Sequence, residues 1–277
     1  MHIPVGFIQG RLSLIKNNRI QSFPWGEWQN EFIKASMIKL SLIEWTIDSE
    51  RFSENPLVTQ SGYKEIISLS TKYNIKVPSV TCDFFMENPV WKSDPSVIRE
   101  GIISIVNGMA KIGSQILVIP LVDNSSLKNI SDTKAVKDFF INLIPELDKA
   151  NVTVAFESDL NPKKFLEFIN EFEKKYFGIN YDLGNSASLG FDSAEEFMAY
   201  GSRIINVHVK DRKKGGNTVP LGEGDVDFPK VFRFLCETDY KGNLILQTAR
   251  SKDGQHEEVL IKYKELVENW WEAVNIA

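Results

Sequence analysis

Four polar residues in the second half of the chain each end or interrupt a hydrophobic segment. Glu157 ends VTVAFE, Asp182 ends FGINYD, His208 lies within INVHVKD and Gln247 ends NLILQ. Carboxylate and carboxamide oxygens together with one imidazole nitrogen form a hard, oxygen-rich donor set, and the nitrogen favours transition ions. If these four side chains converge, they predict a site for Mn²⁺, Mg²⁺ or Co²⁺.

His208 is the one histidine of three that lies inside a hydrophobic pattern. A histidine in a strand is commonly a core residue whose ring nitrogens bond to the backbone. Polar residues at about the same height of the neighbouring segments favour a ligand role instead. The choice between the two interpretations therefore depends on how the segments are arranged.

Short β-rich segments recur eight times along the chain, as IPVGFIQ, LSLIEWT, IKVPSVT, QILVIPL, VTVAFES, FGINYDL, IINVHVK and NLILQTA. Longer amphipathic stretches lie between them, among them SVIREGIISIVNGMAKIG, TKAVKDFFINLIPELDKA and PKKFLEFINEFEKKY. Alternating apolar strands and helices predict a parallel sheet covered by helices. Eight such units in 277 residues favour an α/β protein of the (β/α)8 TIM barrel type, with a single domain over residues 1–277.

In such barrels, functional residues gather at the C-terminal ends of the strands. The first four predicted strands end in the polar residues Gln9, Arg11, Glu44, Asp48, Cys82, Asp83 and Asp123. The glycine-rich stretch DRKKGGNTVPLGEGDVDF after the seventh strand is expected to be an active-site loop. No GxGxxG or GxxxxGK[ST] motif follows the first strand, so dinucleotide-binding and P-loop folds lose their main support.

Composition narrows the class of partner. The formal net charge is −5, so the basic surface of a nucleic-acid-binding protein is not expected. The start MHIPVGFIQG lacks the pattern of a signal peptide, and no apolar run approaches the roughly 18 residues that span a bilayer. The two cysteines, Cys82 and Cys236, form no metal or redox motif and are expected to be free thiols. A cytoplasmic location is expected.

Three segments, NYDLGNSASLG, GSRIINVHVKDRKKGGNTVPLGEGDVDF and YKGNLIL, resemble the second half of one branch of the xylose isomerase-like TIM barrel family. That branch contains the pentulose- and hexulose-phosphate isomerases and epimerases, typified by L-ribulose-5-phosphate 3-epimerases. SLIEWTID and VPSVTCD agree with it more loosely. The resemblance spans the chain, and its specific part runs from about Glu157 to Gln247.

The resemblance implies both a metal site and a reaction. The family holds a divalent metal with Glu, Asp, His and Glu at the ends of strands five to eight, and its two glutamates move a proton. Glu157, Asp182 and His208 match this pattern, whereas Gln247 departs from it. The implied activity is that of a sugar or sugar-phosphate isomerase or epimerase. It would use Mn, Mg, Co or Zn and remove a proton next to a carbonyl through a metal-stabilised enediolate, with Glu157 as the base.

Seven further residues are predicted to bind substrate: Gln9, Glu44, Asn185, Lys210, Lys214, Gly222 and Gly224. Lys210 or Lys214 would stabilise an anionic group, although loop lysines are often simply solvated. The backbone N–H groups of Gly222 and Gly224 would cradle a phosphate, although glycine-rich turns often serve only to reverse the chain.

Two interpretations are open for the pair Glu44 and Trp45, and two for Asn185. Glu44 and Trp45 would form a wall of the sugar site, or the tryptophan would serve packing. Asn185 would contact a substrate hydroxyl by analogy with the family, or it would cap the following helix. Cys82 is interpreted as a small apolar filler and not as a nucleophile.

The departure at Gln247 keeps other functions open. One is a barrel that still binds a carbohydrate but has lost catalysis. Another is a lyase resembling inosose dehydratase, which would use the same metal to expel a hydroxyl group. The apurinic endonuclease branch is set aside because its metal cluster needs more histidines than this chain offers. A homo-oligomer is allowed by the sequence and not required by it.

Overall fold

The computed structural model describes residues 3–15, 21–251 and 254–275. Its strands, numbered in chain order, are β1 (Val5–Ile8), β2 (Leu42–Ile47), β3 (Ser79–Cys82), β4 (Ile116–Leu121), β5 (Thr153–Ser158), β6 (Phe177–Asp182), β7 (Ile204–Val209), β8 (Asp211–Arg212), β9 (Thr218–Val219) and β10 (Asn243–Leu246). Eight of them close into a barrel in the order β1-β10-β7-β6-β5-β4-β3-β2. The remaining two, β8 and β9, form an antiparallel hairpin in the loop after β7.

Helices separate the barrel strands along the chain. They are α1 (Trp28–Met37), α2 (Gln60–Tyr73), α3 (Asp83–Glu87), α4 (Pro95–Ile112), α5 (Ile130–Ile141), α6 (Ile144–Ala150), α7 (Pro162–Ile169), α8 (Leu183–Leu189), α9 (Ser193–Tyr200), α10 (Phe228–Glu237) and α11 (His256–Asn275). The predicted (β/α)8 TIM barrel is confirmed, and each of the eight predicted strand segments overlaps a barrel strand, with β2 and β3 each running one residue past the predicted segment, to Ile47 and Cys82.

The chain groups into two compact halves, residues 1–43 with 180–277 and residues 44–179. The boundary between them falls inside strand β6. The single domain expected over residues 1–277 stays a prediction.

Aromatic side chains fill the helix layer of the half formed by residues 44–179. Phe156 of β5 packs against Phe140 of α5 with ring centroids 5.2 Å apart, and it stacks on Phe177 of β6 at 5.9 Å. Neighbouring residues of a strand point to opposite faces of a sheet. Because Phe156 faces the helices, Glu157 faces the inside of the barrel.

The other half follows the same alternation. In β6, Asn180 and Asp182 share one face, and in β7, Asn206 and His208 share one face. On the outside of this half, Trp270 and Trp271 of α11 pack against α10, and Trp270 stacks on Phe228 with centroids 4.1 Å apart. This packing anchors the last helix of the chain.

Two predicted helices differ from the observed ones. The stretch predicted over residues 133–150 is two helices, α5 and α6, because Pro145 lacks an N–H and restricts the residue before it. The stretch predicted over residues 162–176 ends as a helix at Ile169. Among the described residues, no helix combines the length and the apolar character needed to cross a membrane.

Candidate metal centre

Three buried side chains from consecutive strands come together at one point. Glu157 of β5, Asp182 of β6 and His208 of β7 each offer a ligand atom, and these atoms all lie within 4.8 Å of one another. Glu157 is 6% exposed, Asp182 5% and His208 0%. The structure thus brings together three of the four ligands predicted from the sequence.

Two asparagines on the inner face orient the imidazole. Asn206 Nδ2 donates to Asn180 Oδ1 at 2.9 Å, which leaves the Asn180 amide nitrogen facing His208 Nδ1 at 3.1 Å. An amide N–H donates, so this arrangement gives Nδ1 of His208 the role of acceptor. A metal ion at Nδ1 would have to take the place of this amide N–H, because both would use the same lone pair of the ring nitrogen.

The two carboxylate oxygens of Asp182 make different contacts. Oδ1 accepts a hydrogen bond from the backbone N–H of Asn185 at 2.8 Å and so caps the short helix α8. Oδ2 lies 2.7 Å from Nζ of Lys210 and 3.9 Å from Nδ1 of His208. The helix cap therefore fixes the carboxylate with Oδ2 turned to the cluster.

Gln247, which directly follows β10, reaches the same site through Lys210. Its Oε1 accepts a hydrogen bond from Lys210 Nζ at 2.8 Å, and its Nε2 donates to Oε1 of Gln21 at 3.0 Å. Lys210 therefore bridges Asp182 and Gln247. The sequence predicted Lys210 as a substrate contact, and no pattern in it pointed to Gln21.

The donor set suits a divalent cation. It combines two buried carboxylates with one imidazole, and Lys210 links the carbonyl oxygen of Gln247 to Asp182. Oxygen-rich sites with one nitrogen fit Mg²⁺, Mn²⁺, Co²⁺ and Zn²⁺.

Comparison with known proteins identifies the family. The family model described as xylose isomerase-like TIM barrel matches residues 35–269. This chain belongs to the xylose isomerase-like TIM barrel family. An L-ribulose-5-phosphate 3-epimerase UlaE of Salmonella heidelberg (strain SL476) is 24% identical over 240 residues, which cover 82% of this chain and 84% of the relative.

Solved structures show the same fold. An L-ribulose 3-epimerase superposes with a TM-score of 0.75 at 12% identity, covering 99% of this chain and 96% of that one. The IOLI protein, whose crystal structure contains a bound zinc atom, gives a TM-score of 0.75 at 16% identity, with 98% and 99% covered. At these identities the likeness concerns the fold alone.

Glu44 and Trp45 lie inside the protein and not at its surface. Both are 0% exposed, and the two oxygens of Glu44 accept hydrogen bonds from Ser79 Oγ at 2.7 Å and Thr81 Oγ1 at 2.6 Å. Trp45 points to the other side of β2 and donates from Nε1 to Asn55 at 3.0 Å. The packing interpretation therefore describes Trp45, and Glu44 ties β2 to β3.

The two glycines predicted to cradle a phosphate already have an acceptor. The backbone N–H groups of Gly222, Gly224 and Val226 donate to the carboxylate of the fully buried Asp211 at 2.8 to 3.2 Å. Gly222 has a φ of +88°, and a Cβ at Gly224 would come within 1.8 Å of Asp211 Oδ1. This corrects the predicted phosphate cradle, because the turn wraps an internal carboxylate.

Three other predicted substrate residues lie in separate surroundings. Asn185 accepts a hydrogen bond from Arg212 Nη1 at 2.9 Å, and its side chain is not the cap of α8. Lys214 is exposed, and its side chain lies beside Gly190 at the end of α8. Gln9 is fully buried directly after β1.

Glu31 is a buried carboxylate that was not among the residues predicted from the sequence. It accepts hydrogen bonds from the backbone N–H groups of Gly10 and Leu12 at 3.0 Å, so it holds the loop that follows β1. Burial raises its pKa to about 7. The signal was present, because Glu31 falls on the buried stripe of α1 with Trp28, Phe32 and Ala35.

Burial also explains Cys82. Its thiol is fully buried, and this burial raises its pKa. Both cysteines are free thiols, as predicted. A buried thiol with a raised pKa is a poor nucleophile, which agrees with the filler interpretation.

Proposed function

We propose that this protein is a metal-dependent isomerase or epimerase of a small ketose or ketose phosphate, acting by proton removal next to a carbonyl. The observation that carries the proposal is the cluster of Glu157, Asp182 and His208 on consecutive strands. Family membership supports it, and so does the relative named as an L-ribulose-5-phosphate 3-epimerase.

A divalent ion in this cluster would supply electrostatic stabilisation for the negative charge that develops on the substrate oxygens. Both oxygens of Asp182 already have partners, because Oδ1 caps α8 and Oδ2 pairs with Lys210, so Asp182 is not assigned as the base. His208 is fully buried and oriented by Asn180. We therefore assign the transferred proton to the carboxylate of Glu157, the remaining acid of the cluster.

Gln247 bears on whether the proposed reaction can be a two-base epimerisation. An epimerase of the two-base type needs a proton acceptor on one face of the carbon and a donor on the other, and a carboxamide does not exchange a proton near neutral pH. We therefore propose a one-base reaction through Glu157, such as aldose–ketose isomerisation, or an epimerisation slowed by the lack of a second acid.

Deuterium exchange tests the proposal. Protein stripped of metal and reloaded with Mn²⁺ is incubated in D2O with a panel of ketoses and ketose phosphates, and NMR records deuterium on carbon. Wild-type protein should incorporate solvent deuterium into one member of the panel only when loaded. If no sugar in the panel gains deuterium, the isomerase or epimerase assignment is refuted. Equal exchange of free and phosphorylated sugars would remove phosphate from the substrate description.

The base is tested by Glu157→Gln against the matched control Glu167→Gln, an exposed glutamate on α7. Glu157→Gln should abolish exchange more completely than it lowers metal content measured by elemental analysis, whereas the control should leave both unchanged. Equal losses of exchange and metal would reduce Glu157 to a ligand only.

A second candidate is a barrel that binds a carbohydrate without catalysis. It is favoured by Gln247, which stands at the position of the fourth predicted metal ligand and is hydrogen-bonded to Lys210 and Gln21. Calorimetric binding of a sugar by the loaded wild-type protein, with neither deuterium exchange nor loss of a hydroxyl group, would favour it. Loss of water from the sugar in the same assay would indicate a lyase.

A further inference from the structure

Lys210 places a positive charge inside the candidate metal centre. Its Nζ lies 2.7 Å from Asp182 Oδ2 and 2.8 Å from Gln247 Oε1, and its side chain is 13% exposed. Both contacts go to oxygens that the sequence assigned to a metal ion. An ammonium group and a divalent cation therefore have the same acceptors in this chain.

The position of the lysine is fixed along its stem. At Gly184 in the first turn of α8, a Cβ would come within 2.8 Å of Lys210 Cγ and 3.1 Å of Lys210 Cβ. The missing side chain of Gly184 thus gives the lysine stem its place against α8. Since Asp182 caps the same helix, the ammonium and its acceptor are held by one element.

The oxygens of Asp182 leave little room for two cations. Oδ1 serves the N–H of Asn185, so a metal ion would bind Oδ2, the oxygen that already pairs with Lys210. Metal–oxygen bonds are about 2.0–2.2 Å long, so ammonium and metal on one oxygen would stand only ~4 Å apart. Like charges at this distance repel strongly in a buried site.

We propose that Lys210 competes with the metal ion for Asp182 and Gln247. The inference rests on the proposed function, because it needs a metal site at this cluster. In the metal-free protein the ammonium balances Asp182 and holds Gln247. Binding of a divalent ion displaces the ammonium, and the cost of breaking these two contacts lowers metal affinity.

Calorimetric titration with Mn²⁺ tests the competition. Lys210→Met keeps the length of the stem and removes the charge, so it should lower the Kd for Mn²⁺ at least tenfold, about 1.4 kcal/mol. The control is Lys213→Met, which removes the same charge from an exposed lysine that lies 3.6 Å from Asp225. The control should stay within about twofold of wild type. An unchanged or higher Kd in Lys210→Met overturns the proposal.

A second measurement uses the unaltered chain, so it does not depend on the folding of a variant. Wild-type protein is reductively dimethylated with and without Mn²⁺, and mass spectrometry compares labelling of Lys210 with that of Lys213. Mn²⁺ should raise labelling of Lys210 at least severalfold and leave Lys213 unchanged. Equal labelling of Lys210 in both conditions would show that the metal does not displace it.

The two hypotheses fail in different ways. If wild type and Lys210→Met bind Mn²⁺ with the same Kd, the proposed competition is wrong, whereas the proposed metal-dependent function is not affected. If neither protein binds Mn²⁺, Mg²⁺, Co²⁺ or Zn²⁺, both the competition and the metal-dependent function are overturned.

Discussion

Replacement of Glu31 by glutamine should change how stability depends on pH. Glu31 lies on α1, is fully buried, and accepts backbone hydrogen bonds from Gly10 and Leu12 at 3.0 Å. Burial raises its pKa from 4.5 to about 7, although these hydrogen bonds and the charge of Arg250 act in the opposite direction. The folded protein therefore binds this proton more tightly than the unfolded chain does.

The sign follows from the raised pKa. The protonated Glu31 carboxyl makes its full contribution to stability below about pH 4.5. This contribution is lost as the pH rises through about 7, because the buried carboxyl must then ionise. At ~1.4 kcal/mol per unit of difference between the folded and unfolded pKa, the whole contribution is on the order of 3 kcal/mol, and most of it is lost between pH 5 and pH 8.

Urea unfolding of wild type and Glu31→Gln at pH 5 and pH 8 measures this contribution. On going from pH 5 to pH 8, wild type should lose about 2–3 kcal/mol more free energy of unfolding than the variant does. Subtraction removes the titration of all other groups. Parallel pH profiles, or a wild type that gains stability on the variant as the pH rises, would show that the N–H groups and Arg250 keep the carboxylate charged.

Three other predictions concern the site and its loop. His208→Ala should weaken Mn²⁺ binding about 100-fold by calorimetry and leave the circular dichroism spectrum unchanged, because one strand-end residue contributes little to the barrel core; unchanged metal affinity would exclude it as a ligand. Gln247→Glu should lower the Kd for Mn²⁺ about tenfold by raising the ligand charge from −2 to −3, with the exposed Gln255→Glu as control. Weaker binding would show that the new carboxylate holds Lys210 more strongly than it binds the metal ion. Asp211→Asn should cost about 2–3 kcal/mol of unfolding free energy and lower the Tm, because three backbone N–H groups share its carboxylate, whereas the exposed Asp239→Asn should be neutral.

Periodicity explains why the barrel could be predicted from the sequence. The strand segments are apolar, and their polar exceptions stand where the strands end, so both the fold and the meeting of Glu157, Asp182 and His208 followed from one pattern. The same rule also points to Asn180 and Asn206, each two residues before a predicted ligand. Residues two apart in a strand share a face.

Loop contacts were harder to predict, because they depend on where the chain turns back. A glycine-rich loop after β7 is compatible with a phosphate cradle and with a turn around a carboxylate, and Asp211 is 11 and 13 residues from the N–H groups of Gly222 and Gly224. No local period encodes such a pairing. The contact between Gln247 and Gln21 joins residues that are 226 positions apart and is equally invisible to a pattern.

Charge links the departure at Gln247 to the position of Lys210. Glu157 and Asp182 contribute two negative charges and Lys210 one positive charge, so a glutamate at position 247 would give the cluster the same net charge as removal of the lysine. The two changes differ in geometry, because a new carboxylate would also hold the ammonium in place, whereas Lys210→Met removes the competitor. If charge alone governs metal affinity, the two variants should bind Mn²⁺ equally. If occupancy of Asp182 Oδ2 by the ammonium governs it, Lys210→Met should bind more tightly than Gln247→Glu, since only the former clears the shared oxygen.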